Sequence, residues 1–105
     1  MKKFKCEVTK TYNYEIEIDE TVWTEEELKN WSEIFQDVDS LQDVVEILAM
    51  MKTNYDSGEF IEGFGIPKIN GKIPFVWDDP DGNTVSKEIN INVLDEDCDV
   101  DCEEI

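Results

Sequence analysis

Apolar and polar residues alternate from Phe4 to Asp19. Phe4, Cys6, Val8, Tyr12, Tyr14, Ile16 and Ile18 share one parity, broken only by Lys10, while Lys5, Glu7, Thr9, Thr11, Asn13, Glu15, Glu17 and Asp19 share the other. A period of two marks a strand with one buried and one wet face. The segment therefore predicts one long strand over about residues 3–20, or a strand with a bulge near Lys10, and it places Cys6 among the buried residues.

The period then changes. Thr24-Glu25-Glu26-Glu27 is a capping box, with Thr24 as N-cap and Glu27 three residues on. Leu28, Trp31, Ile34, Phe35 and Val38 follow at helical spacing, with Glu26, Asn30, Glu33 and Asp37 opposite. Ser40 opens a second helix whose stripe is Leu41, Val44, Val45, Leu48 and Met51 and which fades near Asn54. Trp23, just before the first cap, is placed to staple against Leu28.

Strand character returns after Gly58. Phe60–Ile66 is short and interrupted by Gly63 and Gly65, which predicts a bulge or tight bend. Asn70-Gly71 signals a type I′ hairpin between Lys68-Ile69 and Lys72-Ile73. Ile73, Phe75 and Trp77 alternate, which makes Trp77 a core residue. Asp81-Gly82-Asn83 turns the chain again, and Val85, Ile89, Ile91 and Val93 alternate with Ser86, Glu88, Asn90 and Asn92. The predicted order is β-α-α-β-β-β. It describes an α+β fold with two helices packed on one face of a mostly antiparallel sheet with a long first strand. Residues 1–94 form one compact domain in this reading, and 95–105, a charge run, form a flexible acidic tail.

Charge changes what this scaffold is for. The 105 residues carry 27 Asp and Glu against 9 basic residues, all Lys, for a net charge of −18 and a pI near 4.1. Such a balance argues against direct binding to nucleic acid or to an anionic membrane, since phosphates would be repelled. No stretch reaches the roughly 20 apolar residues of a membrane span, and Lys2, Lys3 and Lys5 lead into Cys6-Glu7-Val8 rather than an apolar signal region. Three cysteines, an odd number, fit reduced thiols in a cytoplasmic protein better than a secreted disulfide scaffold.

The chemistry available is narrow. With no His there is no Ser-His or Cys-His pair, and with no Arg there is no bidentate phosphate clamp. With 27 acids, some carboxylate pair always falls at a workable distance, so pairing by itself indicates nothing. The chain reads as no enzyme. Gly63-Phe64-Gly65 lacks the Lys of a phosphate loop. Asp78–Asn83 fits a calcium loop poorly, because with Gly82 at the sixth position Trp77 would stand first; a turn is the reading taken. Cys98 and Cys102 lack the partners for a zinc site. No metal or cofactor is expected.

What remains is the acidic surface, well beyond the roughly 2–8 charges that solubility asks of a small domain. The acids gather on coherent faces: Glu15, Glu17 and Asp19 on the first strand; Glu26, Glu33, Asp37 and Asp39 along and after the first helix; Asp95, Glu96, Asp97, Asp99 and Asp101 in the tail. Carboxylates recurring every roughly 6.6–6.8 Å on a strand approach within a factor of two the spacing of phosphates along a nucleic-acid strand, about 3.4 Å. In size, charge and compactness the chain resembles the small acidic phage or mobile-element proteins that block CRISPR effectors or restriction enzymes, a likeness that no motif carries. It implies a DNA-mimic inhibitor, acting in the cytoplasm of a bacterial host, whose partner is the basic surface of a nucleic-acid-binding protein. An alternative is a protein-interaction module or homodimer, paired through the first strand, whose acidity serves solubility. A third reading, a cation-buffering protein, would show calcium-dependent stabilisation.

Overall fold

In the computed structural model, which describes residues 1–105, the alternating segment forms β1 (Phe4–Ile18), one uninterrupted strand. Then come α1 (Glu25–Ile34), α2 (Leu41–Lys52), β2 (Ile66–Ile69) and β3 (Val85–Glu104). The sheet order is β1-β3-β2, so β3 is central where β2 accompanies it. The fold is α+β, with two helices and a three-stranded mixed sheet.

Both helices start where the capping residues stand. Thr24 Oγ accepts from the Glu27 amide at 3.3 Å, and Ser40 Oγ accepts from the Asp43 amide at 3.3 Å. The Asp43 carboxylate in turn accepts the Asp39 amide at 3.0 Å. Three glutamates in the first turn of α1 complement its dipole. Trp31 from α1, Val44 and Leu48 from α2, Ile61 and Phe64 from the following loop, and Ile89 and Ile91 from β3 form the core. Ile16 and Ile18 stand opposite Ile91 and Ile89 and pack against it, so the helices cover the inner end of the apolar parity of β1, from Tyr14 to Ile18. The Gly-interrupted stretch is a tight turn closed by Ile61 and Gly65; the Trp31 indole lies on Gly63 and donates to its carbonyl at 3.0 Å.

Five expectations are corrected. Asn70 and Gly71 adopt φ of 53° and 76°, and Ile69 and Lys72 exchange hydrogen bonds at 3.0 Å, so the I′ turn forms. No strand follows it, however. Pro74 removes a ladder amide, residues 73–84 run as a loop, and Trp77 is 87% exposed, edge-on to Phe75 at 5.2 Å instead of in the core. With that strand missing, the segment from Ile69 to Val85 becomes a crossover of the roughly dozen residues that parallel pairing needs, and β2 runs parallel to β3. Residues 95–104, expected as a flexible tail, are the outer half of β3 and pair antiparallel with Phe4–Asn13. Cys6, expected to be buried, is exposed, because no helix reaches over this outer half. The result is a two-stranded ribbon projecting from the helix-covered core, within overall dimensions of 57 × 35 × 23 Å. No helix is long and apolar enough to cross a membrane.

Candidate functional site

One irregularity sets the faces of the ribbon. Tyr14 pairs with Val93 but Asn13 pairs with Asp95, so Leu94 is an extra residue, a bulge on β3. Inside the bulge, the odd residues Ile89, Ile91 and Val93 of β3 share the face of Tyr14, Ile16 and Ile18. Outside it, the parity of β3 switches, and the odd residues pair with Asn13, Thr11, Thr9, Glu7 and Lys5, on the face turned away from the helices. Asp95, Asp97, Asp99, Asp101 and Glu103 therefore stand in one row on the same face as Glu7, Glu15 and Glu17. Along β3 the row repeats every roughly 6.8 Å, and its neighbours on β1 lie across at roughly 4.5–5.5 Å.

The electrostatics of this face are one-sided. All of these acids are exposed. Lys5, opposite Glu103, is the basic residue on the outer ribbon face, and Glu7 directly opposes Asp101, a like-charge pair that a sheet does not favour. The inner end of the face is built by a polar ladder. Asn90, 8% exposed, accepts the Gly71 amide at 2.8 Å and donates to Asn92 at 3.1 Å; Asn92 donates to Glu17 at 3.2 Å, which fixes that carboxylate. Lys68, Lys87 and Glu88 border a shallow cleft beside Glu17.

The twelve candidate residues thus divide. Glu15, Glu17, Asp95, Asp97, Asp99 and Asp101 are brought together on this face. Glu96 pairs with Tyr12 on the opposite ribbon face, at the rim of a cleft of about 600 Å³ with Tyr14, Lys52 and Tyr55. There burial, then Glu96 and Tyr12, push the Tyr14 phenol up. Lys52, 7% exposed, donates to the Tyr55 carbonyl at 3.0 Å and lies 5.9 Å over the Tyr14 ring, tying α2 to β1. Asp19 ends the strand: the Thr21 hydroxyl and amide donate to it at 2.6 and 2.9 Å and hold it below the usual carboxylate range, a turn-forming role. Glu26, Glu33, Asp37 and Asp39 belong to the helical layer, which covers the other side of the sheet, and do not join the row.

Two members of the face, Glu7 and Glu103, are absent from the twelve. The signal for them is in the chain: Asp95, Asp97, Asp99, Asp101 and Glu103 alternate with Glu96, Cys98, Val100 and Cys102, the same period of two that marks β1. No protein-family model, curated protein or solved structure matches this chain.

Proposed function

We propose that the protein is a non-catalytic inhibitor that occupies the basic nucleic-acid channel of a bacterial defence enzyme, a CRISPR effector or a restriction enzyme, and acts in the host cytoplasm. The outer face of the β1–β3 ribbon would stand in for phosphates, its carboxylates pairing with channel lysines and arginines. The observation that supports this most is the single-file row Asp95, Asp97, Asp99, Asp101 and Glu103, joined on one face by Glu7, Glu15 and Glu17. A narrow two-stranded ribbon also fits a groove better than a flat sheet does. Attraction of this kind is fast and weakens with salt.

The test is capture from nuclease-treated lysates of bacteria carrying CRISPR and restriction systems, eluted along a salt gradient. The inhibition of any captured nuclease is then assayed on its own nucleic acid. Asp97→Lys, Asp99→Lys and Asp101→Lys together should abolish capture and inhibition, while Glu26→Lys, Glu33→Lys and Asp37→Lys should leave both largely intact, with circular dichroism confirming both folds. Equal inhibition by the ribbon variant and the parent would sink the proposal.

A second reading has its own observation. The outer edge of β1 carries no partner strand, and the ribbon face holding Phe4, Val8 and Val100 is uncovered. Antiparallel pairing of two β1 strands centred on Thr11 would set Lys5 against Glu17, Lys3 against Asp19, and Phe4 against Ile18. Sedimentation separates the readings: a dimer that persists in high salt, and that Lys10→Pro abolishes, favours edge pairing, because Lys10 and Cys98 form a non-hydrogen-bonded pair and the Lys10 amide points to the open edge.

A further inference from the structure

The ribbon has an open end. β1 enters and β3 leaves at its tip, so no turn joins the two strands there, and neither a third strand nor a helix backs them. A two-stranded ribbon of this kind is marginal in water by itself, and the like charges along β3 strain it further.

Near this open end two cysteines face each other. Cys6 and Cys102 are register partners, the third strand pair from the tip. The Ile105 amide donates to the Lys3 carbonyl at 2.9 Å, which makes Lys3–Ile105 a hydrogen-bonded pair. Antiparallel pairs alternate, so Lys5–Glu103 is the next hydrogen-bonded pair and Cys6–Cys102 lies between them as a non-hydrogen-bonded one, the type in which side chains approach most closely. Its Cα separation is then about 4.5 Å, within the roughly 4.4–6.8 Å that a disulfide spans. Both thiols are free and exposed. A hydrogen bond with Cys6, more than burial, pushes the Cys102 thiol up, in keeping with two sulfurs in contact. Cys98 pairs with Lys10 instead, four residues along the ribbon, or about 13 Å from the Cys6–Cys102 pair, beyond the roughly 7 Å limit for bridging.

We propose that Cys6 and Cys102 form a cross-strand disulfide by exchange with a low-molecular-weight disulfide such as oxidised glutathione, and that this bond closes the open end of the ribbon. The thiolate of one cysteine attacks the small disulfide, forms a mixed disulfide and expels one small thiolate. The thiolate of the other cysteine then attacks the protein sulfur and expels the second. The two protein sulfurs are oxidised, the small disulfide is reduced to two thiols, and those thiols carry off the two protons. The bond ties residue 6 to residue 102 and so closes nearly the whole chain, the case in which a cross-link restricts the unfolded ensemble most. The inference stands whatever the acidic face binds.

The experiment treats the full chain with oxidised glutathione at neutral pH, alkylates the remaining thiols, digests with trypsin and reads the linked peptides by mass. Cleavage at lysine releases Cys6 in residues 6–10 and both other cysteines in residues 88–105, and Cys98→Ser makes the assignment unique. A monomer whose free thiols fall from three to one, with Cys6 joined to Cys102, supports the proposal. So does a melting temperature raised on oxidation by roughly 10 °C, a rise that Cys102→Ser lacks. A link from Cys6 to Cys98, links between chains, or glutathione adducts alone would overturn it.

Discussion

Leu48 has no exposure at all, and it belongs to a core of only seven buried residues. So small a core has few neighbours able to collapse into a vacancy. Leu48→Ala is expected to cost about 2–5 kcal/mol, read as a large fall in melting temperature with the secondary structure retained below it. Asp79 acts through its charge. The Thr84 amide and then its hydroxyl donate to the carboxylate at 2.6 and 2.7 Å and hold it below the ordinary range, closing the turn before β3. A carboxyl depressed in the folded state contributes stability above its unfolded value, and that contribution is lost as pH falls through the folded value. Asp79→Ala should therefore melt below the parent at neutral pH, and the gap should close in strong acid; a gap independent of pH would assign it to packing. Residues of this kind were legible in the chain where a local rule governs them, as at Thr24, Ser40 and the Asn70-Gly71 turn. Trp77 was not, because Pro74 overrides the apolar alternation around it.

At the scale of elements, the parity switch at Leu94 decides which way the acids of β3 point. Its side chain is 61% exposed, so packing does not hold it there. Removing it lets Tyr14–Val93 be followed directly by Asn13–Asp95, the register already in place. Deletion of Leu94 should therefore keep amide-exchange protection over residues 95–104 and change stability by less than about 1 kcal/mol, some 4–8 °C in melting temperature. Insertion of one residue after Leu94 should strip that protection, because the acids would have to turn toward the helix side or the strand would have to slip. Loss of protection on deletion would mean that the bend of the bulge, and not the register alone, builds the ribbon. β1 and both helices were legible because their periods are clean. The outer half of β3 was obscured because its alternating partners are carboxylates and short side chains, which resemble a solvated run until a strand is found to pair with them. The parallel course of β2 has no local signal, since it follows from what residues 73–84 fail to form.

At the scale of the molecule, the radius of gyration is 17.4 Å, against about 13 Å for a compact domain of this length. The projecting ribbon accounts for the difference and spreads the net charge of −18 over a longer body. The nine lysines offset little of it: the ion pair formed, Lys2 with Glu104 at 3.9 Å, is exposed at both ends. Repulsion therefore outweighs attraction, and salt should stabilise the fold. Melts at about 0.01 M and about 0.15 M ionic strength, where the Debye length falls from about 30 to about 8 Å, should show the higher temperature in the higher salt; the reverse order would mean that attractive pairs prevail. The two-layer α+β plan was legible at this scale from the order of periods along the chain. The shape was not, because nothing local shows that β1 and β3 outrun the helices that cover them.

The pairing of Phe4 with Glu104 and of Lys3 with Ile105 also has a kinetic side. The largest set of strand contacts in the molecule joins the two ends of the chain, so its contact order is high, and topologies of that kind fold in milliseconds to seconds rather than microseconds. Loop closure of nearly the whole chain precedes any reward from the ribbon, which makes the ribbon the last element to zip. A permutant with residues 1 and 105 joined by a short turn and new ends opened in the 73–84 loop would turn the most distant contacts into the most local ones, and should reach the same fold along a faster route.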